Sequence, residues 1–156
     1  MGLKGIFYKI VSRAVLQPVS RVLRGKTLGV RIAVIDAAGR VLLVRHSYAP
    51  GWMFPGGGVE VGETFLAAAK RELREEVCVA GEGFKLHGIF CNDAVFPGDN
   101  VACYTLRQFI QSDWKPSLEI SDARFFALQA LPEDVTGGTR RRLAEIFDGF
   151  PISEFW

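Results

Sequence analysis

The feature that most constrains this chain is a glycine-rich loop followed by a helical pattern with three glutamates, in the stretch GGGVEVGETFLAAAKRELREEVCV at residues 56–79. Its apolar residues recur at helical spacing and predict an amphipathic helix that begins after Thr64, whose hydroxyl is a suitable N-terminal cap. Glu72, Glu75 and Glu76 are related as i, i+3 and i+4, so they project from one side of that helix. One turn of backbone therefore gathers three like charges.

The repulsion among these three glutamates requires compensation. It costs roughly a few tenths of a kcal/mol per pair in water, and more where the pair is partly desolvated. A divalent cation would offset it, because Mg²⁺ and Mn²⁺ take oxygen ligands and hold carboxylates together with substrate phosphates. The alternative is a solvated acidic face paired with Arg71 and Arg74, and the glutamates alone favour that alternative.

A wider set of residues resembles the signature box of the Nudix hydrolases, G-x5-E-x7-R-E-U-x-E-E-x-G-U, where U is a bulky aliphatic residue. Six fixed positions match, namely Gly57, Glu63, Arg71, Glu72, Glu75 and Glu76. The FPGGG entry, the strands before it and the later ARFFALQALP segment also look like the family. Cys78 departs from the box, which normally has Gly there. Because a side chain raises the cost of the left-handed helix end by about 1 kcal/mol, we expect a different local backbone.

The resemblance implies an α/β fold of the Nudix type, an α/β/α sandwich with a mixed β-sheet and a loop-helix-loop metal site. The strand and helix patterns agree with it, and they predict a β-hairpin from LGVRIAVID to RVLLVRHSY and a closing helix in TRRRLAEIFDGF. We expect the Nudix domain to span residues 27–156. Residues 1–26 are predicted to form an amphipathic helical extension docked on the domain, with peripheral membrane contact or partner binding as the alternative.

The resemblance also assigns metal ligands. It implies that Glu72 and Glu76 bind the cation, that Glu75 shares the site when more than one cation binds, and that the carbonyl of Gly56 is a further ligand. Gly57 lets the backbone approach a ligand closely because it has no Cβ. The expected ion is Mg²⁺, with Mn²⁺ as a substitute.

Two further roles complete the site that the resemblance implies. Arg71 and Glu63 are expected to tie the loop to the helix, since a planar guanidinium holds a carboxylate bidentately. The general base would be a box glutamate, Glu75 or Glu76, or a carboxylate from another loop. Glu119 stands where several family members carry an additional metal-binding or basic glutamate, although an exposed loop glutamate is an equal alternative.

Contacts with the substrate are the least constrained part of the site. Six side chains are candidates: Trp52, Tyr48 and Phe96 for stacking on a base, and Arg45, His46 and Arg31 for contacting phosphate. For any single one, core packing or a solvated strand face is the favoured alternative. His46 is expected to be structural or to contact phosphate, because one histidine beside an all-oxygen site adds little as a metal ligand.

Composition narrows the partners and the compartment. The formal net charge of +2 is too small to indicate a nucleic-acid partner, although the first 45 residues are more basic than the rest. No apolar run approaches the roughly 20 residues of a membrane-spanning helix. Cys78, Cys91 and Cys103 are odd in number and lack C-x-x-C spacing, so reduced thiols and a cytoplasmic location are predicted.

The predicted function is Mg²⁺-dependent hydrolysis, by a metal-activated water, of a pyrophosphate bond in a nucleoside diphosphate linked to another moiety. The substrate would be a nucleotide sugar, ADP-ribose, a dinucleotide or a nucleoside triphosphate. One alternative is an RNA 5′-pyrophosphohydrolase. Another is a non-catalytic module of the same fold that senses a nucleotide, although the intact carboxylate cluster argues against it. A homodimer is left open.

Overall fold

The computed structural model describes residues 26–156, and all but the last residue of the predicted extension (residues 1–26) lies outside the described residues. The elements in chain order are β1 (Thr27–Val34), β2 (Val41–His46), β3 (Trp52–Met53), α1 (Phe65–Val77), β4 (Val79–Glu82), β5 (Lys85–Cys91), β6 (Asp99–Leu106), β7 (Gln108–Gln111), β8 (Ile120–Phe126), a 3₁₀ turn (Leu128–Ala130) and α2 (Gly137–Asp148). Within the described residues, no helix is long and apolar enough to cross a membrane.

The strands form three small sheets. In the first, β6 lies between β1 and β5, parallel to β1 and antiparallel to β5. In the second, β2 lies between β3 and β8 and is antiparallel to both. The third is the antiparallel pair β4 and β7. The predicted mixture of parallel and antiparallel pairing is therefore confirmed.

The predicted hairpin between β1 and β2 is wrong in its pairing. A tight turn joins the strands, and in it Asp36 Oδ1 accepts hydrogen bonds from the backbone N–H groups of Ala38 and Arg40. The strands meet at the bridge between Ile35 and Val41 and then enter different sheets. Both strands carry apolar residues on both faces, which suits strands covered on both sides better than a half-exposed hairpin.

Two hydrophobic clusters lie on opposite faces of these strands, and each is closed by one helix. On the first face, alternate residues of β1 and β2 pack against Ala69 and Leu73 of α1. On the second face, the intervening residues pack with Phe54 and Phe90 against Leu143 of α2. Alternating side chains thus place a helix on each side of the strands, as the predicted sandwich requires.

Helix α1 has the predicted start and an unpredicted end. The Thr64 hydroxyl accepts a hydrogen bond from the Ala67 N–H, which confirms the N-terminal cap. The expected change of backbone at Cys78 is wrong, because Cys78 adopts the left-handed conformation, with φ 53° and ψ 34°. Its N–H donates to the carbonyls of Arg74 and Leu73. The helix therefore ends as it would with glycine, at a cost of about 1 kcal/mol for the side chain.

Candidate active site

The glycine-rich loop lies along the outer edge of β1. The N–H of Val30 donates to the Gly57 carbonyl at 2.9 Å, and the N–H of Ile32 donates to the Pro55 carbonyl at 3.0 Å. Gly56 has φ 136°, and a Cβ at this position would lie 2.1 Å from the Val30 carbonyl oxygen. Only glycine fits there, and the close approach of the two backbones holds the loop against β1.

Glu72 lies directly beneath this loop. A Cβ at Gly57 would lie 2.6–2.8 Å from the carboxylate atoms of Glu72. The close approach predicted for Gly57 is therefore an approach between the loop and a candidate metal ligand of α1. Burial raises the pKa of Glu72 above its usual value, and its hydrogen bond from Arg71 opposes that rise.

Arg71 links the loop to the helix. Its Nε and Nη2 donate to the two carboxylate oxygens of Glu63 at 2.9 Å each, and Nη2 also donates to the Gly58 carbonyl at 2.8 Å. Its Nη1 donates to Glu72 at 2.7 Å and to Glu75 at 3.3 Å. The hydrogen bonds from Arg71 lower the pKa of Glu63 to about 2. One guanidinium thus holds two candidate ligands, the end of the glycine-rich loop at Gly58 and the carboxylate of Glu63.

Glu76 is the buried carboxylate of the site, with 4% of its surface exposed. Its Oε2 accepts a hydrogen bond from the Gly56 N–H at 2.8 Å, and its Oε1 lies 3.6 Å from His46 Nε2. Burial raises its pKa to about 8, against the opposing positive charge of Arg31. A buried carboxylate that is this weakly compensated suits a site that receives a cation.

Arg31 contacts the loop, and its charge acts on Glu76. Its Nη1 donates to the Gly56 carbonyl at 2.6 Å and to the Phe54 carbonyl at 3.1 Å. The Gly56 carbonyl, expected as a metal ligand, thus already accepts one hydrogen bond, and its second lone pair remains for an ion. The arginine places a positive charge beside the carboxylates.

Glu119 reaches the site from a distant part of the chain. The Ser47 N–H donates to the Glu119 carbonyl at 2.8 Å, and the Tyr48 hydroxyl donates to its carboxylate at 3.2 Å. One donor atom each from His46, Glu76 and Glu119 lie within 4.8 Å of one another. Because β8 pairs with β2, the fold brings Glu119 to the carboxylates of α1.

Three of the candidate substrate contacts, Trp52, Arg45 and Phe96, lie in different surroundings. Trp52 is 6% exposed, and its ring packs edge to face on Phe126, so it lies in the core. The Arg45 Cζ atom lies 5.1 Å from the centre of the Trp52 ring, and Arg45 Nη2 donates to the Asp134 carboxylate at 2.5 Å. Phe96 is half-buried in the turn between β5 and β6. Core packing therefore accounts for Trp52, and an ion pair accounts for Arg45.

Two contacts at the end of α1 escaped the sequence reasoning. Trp114 Nε1 donates to the Glu76 carbonyl at 2.6 Å, and Gln111 Nε2 donates to the Val77 carbonyl at 3.0 Å. The last carbonyls of a helix need hydrogen-bond donors, so the sequence indicates that donors lie nearby. It does not indicate which residues they are. These side chains fix the turn of helix that carries Glu76.

The donor set fits a divalent metal ion. Glu72 and Glu76 offer carboxylate oxygen atoms. Among the described residues, the buried Glu76 carboxylate accepts its one hydrogen bond from a backbone N–H, that of Gly56. Burial, followed by the charge of Arg31, lowers the pKa of His46 to about 4, so at neutral pH it is uncharged and does not neutralise Glu76. A cation held by Glu72 and Glu76 would stabilise the ionised form of Glu76, whose pKa burial raises to about 8.

Gly57→Ala tests this arrangement. Its Cβ would displace the Glu72 carboxylate, which is the flexible end of a side chain, so we expect little loss of stability. The Mg²⁺ or Mn²⁺ affinity, measured by calorimetry, should fall about tenfold or more. Gly58→Ala is the matched control, since a Cβ there would meet no atom within 4 Å apart from those of Gly58 and its two chain neighbours. Equal affinities in the two variants would show that Glu72 does not bind the ion.

Comparisons with known proteins agree with this geometry. A NUDIX domain model matches residues 25–146. The chain is 30% identical over 128 residues to an RNA pyrophosphohydrolase of Sodalis glossinidius (strain morsitans), covering 81% of this chain and 69% of that protein. It is 40% identical over 85 residues to diphosphoinositol polyphosphate phosphohydrolase 2 of Rattus norvegicus, covering 54% of this chain and 47% of that protein. The crystal structure of a MutT NUDIX hydrolase from Burkholderia pseudomallei is similar, with a TM-score of 0.63 and 28% identity, covering 77% of this chain and 97% of that one.

Proposed function

The chain belongs to the NUDIX family, and we propose that it is a Mg²⁺-dependent hydrolase of a pyrophosphate bond in a nucleoside diphosphate linked to another moiety. The observation that carries the proposal is the buried carboxylate of Glu76, which accepts a hydrogen bond from the Gly56 N–H and whose pKa is raised by burial and by the nearby charges of Glu72 and Glu119. A binding module would gain nothing from this costly arrangement, whereas metal-assisted hydrolysis requires it.

The residues divide into ligands, positioning groups and proton acceptors. A bound divalent cation supplies charge neutralisation on the phosphate oxygens and lowers the pKa of a water. Glu72 and Glu76 hold the ion, and Arg71 keeps Glu72 in place. In the part of the chain that the structure describes, Glu75 and Glu119 are the exposed carboxylates at the site. Glu75 can accept a proton from an attacking water, and Glu119 can either do so or bind the ion.

Arg31 is the basic group best placed to meet the diphosphate. Its guanidinium is bonded to the Gly56 carbonyl, and its charge acts on Glu76. A planar guanidinium can bind two phosphate oxygens at once. Arg45, also expected to contact phosphate, is paired with Asp134 and would first have to leave it.

A substrate panel tests the proposal. The full chain is incubated with nucleotide sugars, ADP-ribose, dinucleotides and nucleoside triphosphates in the presence of Mg²⁺, and the products are resolved by mass spectrometry in ¹⁸O-labelled water. We expect cleavage of at least one substrate at the pyrophosphate bond, with ¹⁸O in one phosphate product. Absence of cleavage across the panel with both Mg²⁺ and Mn²⁺ would contradict the proposal.

RNA with a 5′-triphosphate is a second candidate substrate, favoured by the similarity to RNA pyrophosphohydrolases over 81% of the chain. If RNA is the substrate, its kcat/KM should exceed that of the matching nucleoside triphosphate. That advantage should fall steeply as salt rises, because binding of the RNA backbone releases counterions. An RNA rate no higher than that of the nucleotide would leave the small-molecule substrate as the better proposal.

A further inference from the structure

We propose that His46 is a direct ligand of the divalent cation, so that an imidazole nitrogen completes a donor set with Glu76 and Glu119. This inference rests on the proposed function, because it concerns the same ion. It departs from the sequence expectation that His46 is structural or contacts phosphate. Three observations carry it: the spacing of the donor atoms, the burial of the ring and the path of the strands.

The donor atoms are spaced for one ion. One atom each from His46, Glu76 and Glu119 lie within 4.8 Å of one another. Bonds of about 2.0–2.6 Å to a single cation place opposite ligands about 4–5 Å apart. The three side chains can therefore bind one ion after shifts smaller than about 1 Å.

The imidazole ring is buried and aimed at the carboxylate. The His46 side chain is 3% exposed, and its Nε2 lies 3.6 Å from Glu76 Oε1, which is too long for an ordinary N–H···O hydrogen bond. Among the described residues, neither ring nitrogen has a hydrogen-bond partner. Buried polar groups are almost always satisfied, so an unsatisfied nitrogen beside a carboxylate points to a missing partner between them.

The strands deliver His46 and Glu119 to the same place. Leu42 and Val44 of β2 pack towards α1, and His46 follows them with the same period of two. The ladder with β8 shifts register between Arg45 and His46, and Ser121 is the extra residue. Such bulges often re-aim side chains next to active sites. Here the bulge lies directly after Ile120, next to the turn that brings Glu119 towards His46.

A nitrogen ligand changes which metal the site prefers. Mg²⁺ binds oxygen donors, whereas imidazole favours first-row transition metals. The wild-type chain should therefore prefer Mn²⁺ over Mg²⁺ more strongly than a variant without the imidazole. We expect His46→Gln to lower the ratio of Mn²⁺ affinity to Mg²⁺ affinity about tenfold.

Pulsed electron paramagnetic resonance of bound Mn²⁺ tests the bond directly. The full chain is prepared with ¹⁴N- or ¹⁵N-labelled histidine and loaded with substoichiometric Mn²⁺, without substrate. We expect a nitrogen modulation that changes with the isotope. Because this experiment uses the wild-type chain, it stands even if His46→Gln fails to fold.

His87, the other histidine in the chain, provides the control. It lies 2.8 Å from Glu145 and outside the donor set. His87→Gln should retain the histidine modulation, and His46→Gln should lose it. Mn²⁺ that binds without a histidine modulation would overturn this inference and leave the proposed function standing. Absence of Mn²⁺ binding, by water-proton relaxation, would overturn both.

Discussion

Replacing Glu76 by Gln is expected to lower turnover about a thousandfold while leaving the fold intact. Gln has nearly the same shape and can still accept the hydrogen bond from the Gly56 N–H, so the loop should stay in place. It cannot supply the negative charge that holds a divalent cation. The loss should appear in kcat and in metal affinity, measured on the best substrate of the panel.

The Glu76→Gln variant should also differ from the wild type in the pH dependence of its stability. Burial raises the pKa of Glu76 to about 8, so the folded wild-type chain binds this proton more tightly than the unfolded chain does. In the metal-free wild type, the contribution of Glu76 to the free energy of unfolding is therefore largest below pH about 4.5 and is lost as pH rises towards 8. Gln does not titrate. In a chelator at pH 8, Glu76→Gln should therefore unfold at a urea concentration at least as high as the wild type.

A surface substitution controls for the loss of one negative charge. The Glu82 side chain is 81% exposed and pairs with Lys70 away from the loop, so Glu82→Gln should keep both turnover and stability. If Glu76→Gln retains near wild-type turnover, the buried carboxylate does not bind the ion. If it fails to fold in chelator, the carboxylate is needed for structure.

Local patterns in the sequence predicted those features that depend on neighbouring residues. Helical spacing gave α1, and the Thr64 cap follows from one hydroxyl placed before the first turn. The bidentate pair between Arg71 and Glu63, which the resemblance to the Nudix box implied, forms across a short loop. Such contacts need no knowledge of the sheet order.

Features that depend on strand pairing were missed or only partly predicted. The sequence suggested a hairpin for β1 and β2, since adjacent strands usually pair, but β1 pairs with β6 instead. Trp52 was a candidate for base stacking because it lies near the loop in sequence, yet the sheet turns it into the core. The approach of His46 to Glu119 likewise depends on the pairing of β2 with β8.

The buried ion pair under α2 also escaped the sequence reasoning, because TRRRLAEIF reads as a helix with an exposed basic face. Arg142 is fully buried. Its Nε and Nη2 donate to the Glu145 carboxylate at 2.8 and 2.6 Å, and its guanidinium lies 3.8 Å from the centre of the Phe90 ring. Only one of three consecutive arginines points inwards, which the helical period alone does not single out.

Arg142→Met is expected to destabilise the protein by about 3–5 kcal/mol at pH 7, because it leaves the buried charge of Glu145 without its guanidinium, and only the Ser153 N–H and His87 still contact the carboxylate. In the wild type, burial raises the pKa of Glu145, but hydrogen bonds from Arg142, the Ser153 N–H and His87 outweigh it and the pKa is lowered. Wild-type stability from this carboxylate is thus present above its unfolded pKa and lost as pH falls. Without Arg142, this pH dependence should reverse, so that the contribution of Glu145 to stability falls as pH rises.

Urea unfolding at pH 7 and pH 4 measures both effects. The difference between wild type and Arg142→Met should be smaller at pH 4, where protonation removes the uncompensated charge of Glu145. The double variant Arg142→Met, Glu145→Leu should recover much of the lost stability, since buried ion pairs are often replaceable by apolar pairs. Arg74→Met is the exposed control, and its change should stay within about 0.5 kcal/mol. A deficit in Arg142→Met that is equal at both pH values would mean that lost packing on Phe90, and not the charge, stabilises this end of the fold.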